Sequence, residues 1–205
     1  MKIEKHIYRS DSFVQLVEDA VEFMIGTPVE TLPPEERFEG GGVYALYYKG
    51  GFYLYEKIYK VNPDLPIYVG KAVLPGWRQG RGSAKENDPA LYRRLSEHAR
   101  SISAANNLEV SDFVCRFVVL KGQESDLIGT VEAAMTRKYN PLWNSHIDGF
   151  GNHDPGKGRY EQSKSEWDVL HPGRLWAEKL KGTPPSDSGI EEKIGIYHVL
   201  SLIHI

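Results

Sequence analysis

Arg94 and His98 stand four residues apart, a step that brings two side chains to the same face of a helix. Glu132 sits among Val131, Ala133, Ala134 and Met135, where a carboxylate is either a solvated helix side or a placed ligand. Two tyrosines mark the ends of short β-rich segments, Gly42-Val43-Tyr44 and Tyr68-Val69-Gly70, 24 residues apart. Asn144 follows in Pro141-Leu142-Trp143-Asn144. These side-chain types can bind an oxyanion, pass a proton and hold a cation. Taken singly, each also has an ordinary structural explanation. Arg94 and His98 suit any helix surface, tyrosines pack in strands, and asparagine forms turns.

The elements that must position them are legible from periodicity and turn chemistry. Phe13, Leu16, Val17, Ala20, Val21, Met24 and Ile25 predict a helix over Ser12–Ile25, capped by Asp11 or Ser12 and stopped by Gly26 and Pro28. Residues 26–42, with Pro28, Pro33, Pro34 and three consecutive glycines, read as an irregular crossover. Val43–Tyr48 is a strand closed by the turn Lys49-Gly50-Gly51; Phe52–Tyr59 either extends that hairpin or forms a short helix. Ile67–Val69 is a second strand ending at Gly70, and 71–88 a long loop. Asp88 caps, and Pro89 enters, a helix running to about Ala104 that buries Leu91, Leu95, Ala99 and Ile102. Asp112–Leu120 is a strand, and Ser125 caps a helix ending near Tyr139 before Asn140-Pro141. Residues 149–159 are a glycine-rich loop; Glu166–Leu180 reads as an amphipathic helix interrupted at His171-Pro172-Gly173, and 194–205 as an edge strand. The fold class is therefore α+β, a small, largely antiparallel central sheet flanked by helices, with N- and C-terminal extensions. Three segments follow: 1–41 as helix and crossover, 42–145 as core, and 146–205 as an extension packed on it.

Composition narrows the function classes. The 205-residue chain is 40% hydrophobic and 26% charged, ordinary for a globular protein. No apolar run reaches membrane-helix length and the start has no signal-peptide core, so a cytoplasmic location is expected. Cys115 is the single cysteine, which excludes an intramolecular disulfide and a structural cysteine–zinc cluster. A net charge of -3 argues against indiscriminate coating of nucleic acid. The charge is uneven: residues 66–100 carry seven Lys and Arg against three acids, whereas 1–40 carry nine acids against four bases. An acidic body with one basic segment suits a protein that meets an anion at one face.

In order, the two tyrosine motifs, the Arg94/His98 helix, the lone glutamate and the asparagine resemble the GIY-YIG nuclease superfamily, with GVY and YVG as its two motifs. A literal Gly195-Ile196-Tyr197 near the C-terminus is a coincidence, since nothing follows it that could supply the remaining residues. The resemblance covers about residues 42–144. The long spacing between the tyrosines and the flanks at both ends look like the type II restriction endonuclease branch.

The resemblance implies hydrolysis of phosphodiester bonds in double-stranded DNA at a specific, palindromic sequence. Tyr44 would be the candidate general base. An unperturbed phenol has a pKa of about 10, so His98 would have to take its proton or Lys71 favour the phenolate. Tyr68 would position water or phosphate, Arg94 would fork onto the phosphate, and Asn144 would hold the site together. Glu132 would ligate one divalent ion, Mg2+ with Mn2+ able to substitute. For DNA contact the leading candidates are Trp77, Arg78, Gln79, Arg81 and Lys85, followed by Asn152, His153, Lys157 and Arg159. A homodimer would match a palindromic site, and a companion DNA methyltransferase would act on the same sequence without stable binding. The rival readings are a structure-specific or repair nuclease on the same fold, a catalytically inactive nucleic-acid-binding module, and an unrelated small-molecule-binding domain.

Overall fold

The computed structural model describes residues 1–76 and 87–203. A four-stranded antiparallel sheet lies at its centre, built from β1 (Glu30–Thr31), β2 (Gly41–Tyr48), β3 (Tyr68–Ala72) and β4 (Phe113–Leu120) in the order β1-β4-β2-β3. Strand β2 is flanked on both sides and buried throughout, which explains why GGVYALYY has no polar alternation. Alternation of side chains across the strand still sorts its residues. Tyr44, Leu46 and Tyr48 enter one core; Val43, Ala45 and Tyr47 enter the other.

Two layers of helix cover the sheet. Helices α1 (Asp11–Gly26) and α4 (Ile128–Tyr139) bury Val21, Met24, Ile128, Val131 and Met135 against Val43, Ala45 and Val69. On the opposite face α2 (Glu56–Val61), α3 (Ala90–Ala104), α5 (Leu142–Ser145), α6 (Glu166–Leu170) and α7 (Asp187–Ile203) pack over Tyr44, Leu46 and Tyr48. Helix α3 buries Leu91, Leu95, Ala99 and Ile102 as the pattern predicts. Phe52–Tyr59 resolves into a turn and the start of α2, and residues 26–42 include the short strand β1.

Several helix entries differ from the sequence reading. The α1 cap is Ser10, whose Oγ accepts from the Phe13 N–H at 3.2 Å, instead of Asp11 or Ser12. Asp88 does not cap α3; it accepts from Arg93 at 2.8 Å, and Pro89 takes the cap position. Ser125 lies inside a 3-10 turn, Gly122–Leu127, and donates to the Gly122 carbonyl, so α4 starts only at Ile128. In each case another hydrogen bond outcompetes the expected cap: Ser10 accepts in place of its neighbours, Arg93 donates to Asp88, and Ser125 donates to Gly122.

The largest correction is at the C-terminus. Residues 194–203 belong to helix α7, not an edge strand, because Ile190, Ile194 and Tyr197 recur at helical spacing and are buried. Gly195-Ile196-Tyr197 therefore lies on a helix, outside the sheet. The stretch 166–180 forms only α6 and a 3-10 turn at Ala177–Lys179, since His171-Pro172-Gly173 ends the helix outright. Gly173 has φ +140°, and a Cβ there would meet the Ala104 carbonyl oxygen at 1.8 Å. Among the described residues, no helix is long and apolar enough to cross a membrane.

Candidate active site

The register of β2 against β3 sets Tyr44 opposite Gly70. Tyr44 leans across this position: a Cβ at Gly70 would lie 2.3 Å from the Tyr44 hydroxyl oxygen. The glycine of the second motif thus exists to admit the tyrosine of the first. Tyr68, two residues earlier, points to the same face, and the two rings lie 6.2 Å apart. Both face α3, where His98 is buried at 1% exposure. Tyr44 Oη and His98 Nε2 are 2.6 Å apart.

Burial decides the protonation of this pair. It pushes the Tyr44 phenol well above its ordinary value; neighbouring Tyr68 adds to the rise and Arg94 opposes it. Burial, helped by the positive charges of Arg94 and Arg174, holds the His98 imidazole well below its ordinary value. A protonated phenol beside a neutral imidazole calls for donation from the hydroxyl to an unprotonated Nε2. The burial of Tyr68 likewise raises its phenol; Arg94 opposes this and Glu132 adds to it.

Arg94, one helical turn before His98, is fixed from three sides. Its Nη1 donates to Glu97 at 3.0 Å and to His153 Nε2 at 2.7 Å, and its Nη2 donates to the Gly151 carbonyl at 3.1 Å. Because arginine only donates, His153 Nε2 must be the acceptor. Gly151 comes so close that a Cβ would stand 3.0 Å from the Tyr68 hydroxyl. The Phe150 ring stacks on His98, with centroids 4.5 Å apart and planes 15° apart.

Glu132 approaches from the other side of the sheet. Helix α4 buries Val131 and Met135 beneath the strands, and the next helical position turns Glu132 toward β3. Because β3 is the edge of the sheet, side chains from both faces can meet around it. Lys71, on the α4 face of β3, forms an ion pair with Glu132, whose side chain is 24% exposed. Lys71 is thus held by the carboxylate, on the face of β3 opposite to Tyr44. Asn144 pairs with the outer edge of β3 as a further strand would. Its Oδ1 accepts from the Val69 N–H at 2.7 Å and its Nδ2 donates to the Val69 carbonyl at 2.8 Å.

The structure thus brings Tyr44, Tyr68, Arg94, His98, Glu132, Lys71 and Asn144 to one edge of the sheet. Of the residues expected at DNA, Trp77, Arg78, Gln79, Arg81 and Lys85 lie outside the described residues. Asn152, His153, Lys157 and Arg159 are exposed on the glycine-rich loop, and Asn152 and His153 line a polar cleft of about 370 Å³ with Arg159, Gln162 and Trp176. Phe150, Gly151 and Glu97 escaped the sequence reading. For Phe150 and Gly151 the density of glycines in 149–159 is the one signal, because only the tertiary fold brings that loop onto α3; for Glu97 it is the i,i+3 spacing from Arg94.

A tyrosine pair on adjacent antiparallel strands, with an arginine–histidine helix over one face and a glutamate helix behind the other, defines the GIY-YIG nuclease class. Residues 36–198 match the Eco29kI GIY-YIG domain, and the chain belongs to that family, a type II restriction endonuclease family acting on DNA. No curated protein shows a significant match.

Proposed function

We propose that the protein is a sequence-specific endonuclease of the type II restriction kind, cutting double-stranded DNA at a palindromic site as a cytoplasmic homodimer. The observation that carries this reading is the buried Tyr44–His98 hydrogen bond beside Arg94 and Tyr68, with Glu132 reaching the same edge from behind. Tyr68, which is only partly buried, orients the attacking water. The water's proton passes to the Tyr44 oxygen as the Tyr44 proton moves to His98 Nε2. This relay avoids a free phenolate, which burial makes costly, and leaves an imidazolium on His98 that the same burial disfavours, so His98 holds the proton only transiently. Arg94 offsets charge growing on the phosphoryl oxygens while the 3′ oxygen departs.

Glu132 would hold one divalent ion, Mg2+, with Mn2+ able to substitute. It is a hard oxygen donor at a partly exposed position, and no group of three or more metal-ligating side chains is found among the described residues. That donor set fits a single ion completed by water and phosphate. When bound, the ion supplies Lewis-acid stabilisation at the phosphate. Exposed Asn152, His153, Lys157 and Arg159, together with the segment from Trp77 to Lys85, supply DNA contacts. Segments 1–41 and 146–205 serve as extensions around the catalytic core 42–145. Two copies place one site on each strand, and a companion methyltransferase protects the same sequence.

Digestion of two plasmids of known sequence with Mg2+, using Glu132→Ala as control, tests the proposal. Discrete fragments with wild type and none with the variant support it. Cleavage that follows DNA shape, or binding without cutting by wild type, overturns the sequence-specific reading.

A further inference from the structure

The glycine-rich loop that orients Arg94 is itself held from behind by one buried arginine. Arg174 Nη2 donates to the Gly149 carbonyl at 2.9 Å, and Nη1 donates to the carbonyls of Phe150 at 3.1 Å and Asn152 at 3.3 Å. Its Nε donates to Asp168 Oδ1 at 2.6 Å. The pair is almost wholly enclosed, with side-chain exposures of 3% and 1%. The guanidinium is flanked by the Trp167 and Trp176 rings, 4.5 Å and 4.8 Å from their centroids. Asp168 is held in turn by the Ser165 hydroxyl at 2.7 Å.

Burying two charges costs several kcal/mol per ion, so such a pair is a poor device for stability alone. Its geometry shows a different use. Three carbonyls within four residues of loop are gathered on one planar fork, which a lysine cannot reproduce. The loop's other side contacts the catalytic face: the Gly151 carbonyl accepts from Arg94, and the Phe150 ring lies on His98 and 4.9 Å from Tyr68. The loop is a plate gripped by Arg174 on one side and read by the active site on the other.

We infer that Arg174, anchored by Asp168, is a positioning residue that sets the Arg94 guanidinium and the His98 ring through residues 149–152. The consequence for cleavage rests on the nuclease reading above; the consequence for His98 does not. A misplacement of about 1 Å can cost about a hundredfold in rate.

The test uses the full-length protein with Arg174→Lys, and Asp168→Asn as a second variant should the first not fold. Steady-state cleavage kinetics, DNA affinity and the NMR resonances of the His98 ring are measured, the last because Phe150 stacking imposes a ring-current shift. The expected result is a fall in kcat of about a hundredfold, KM within about threefold of wild type, and displaced His98 resonances. A folded variant with wild-type kcat and unmoved His98 resonances overturns the inference. Displaced resonances in a protein whose wild type cuts no DNA uphold the positioning role and sink the nuclease reading instead.

Discussion

At position 70 hydrogen is the largest substituent that fits, because the Tyr44 hydroxyl occupies the place of a Cβ. Gly70→Ala therefore must displace Tyr44 from His98 or bend the strand. The expected outcome is about a hundredfold slower cleavage, the low end of what a lost proton-transfer contact costs, and a stability loss of about 1–3 kcal/mol. Plasmid digestion and urea unfolding of the same preparation read both. Tyr44→Phe keeps the ring packing and deletes only the relay oxygen. Cleavage is expected to fall by about a hundredfold or more while DNA affinity in a gel-shift assay stays near wild type. Appreciable residual cleavage would shift the base to His98 or Lys71. The residue types of this pair were readable in the sequence. Their protonation was not, since it follows from the burial that α3 and the 149–153 loop impose.

At the scale of elements, the edge of β3 is the hinge of the design. An edge strand leaves backbone groups in need of partners, and Asn144 supplies both at Val69. Asn144→Ala removes two hydrogen bonds at partly buried backbone groups and is expected to destabilise the protein by about 2–4 kcal/mol. Chemical denaturation monitored by tryptophan fluorescence checks this. At temperatures where the variant is folded, its cleavage rate is expected to stay closer to wild type than that of Tyr44→Phe. Sequence reading placed β2, β3, α3, β4 and most of α4 within a few residues, because their periodicity is set by burial against a common sheet. It failed at α7, where alternating apolar residues suit a strand as well as a helix. Only the packing of Ile190, Ile194 and Tyr197 into the core chooses between them.

Across the whole molecule, buried imidazoles couple folding to pH. His98 is held neutral by burial, and His171, bonded to Tyr55 at 2.5 Å and Asn107 at 2.8 Å, has its pKa pushed down to about 3. The unfolded chain protonates these rings near their ordinary value of about 6.5, whereas the folded chain does not. Stability is therefore lost as pH falls below that value, and for His171 the loss continues to about pH 3. His171→Gln is expected to reduce the slope of unfolding free energy by one proton, about 1.4 kcal/mol per pH unit. Urea unfolding of wild type and variant between about pH 5.5 and about pH 4, where the unfolded ring is protonated and the folded one is not, measures it; parallel slopes would refute the assignment of this proton to His171.

The order of chemical groups is legible along the chain, because residue identity and helical or strand spacing are local properties. Tyr44, Tyr68, Arg94, His98, Glu132 and Asn144 were recognisable from that order. Other facts came only with the packed fold: Glu132 lies near enough to Tyr68 around the edge of the sheet to act on it electrostatically, Lys71 pairs with Glu132, and Arg174 grips the loop behind Arg94. These contacts join residues far apart in the chain. Their existence depends on which face of the sheet each helix covers and where the sheet ends, and no local pattern carries that information.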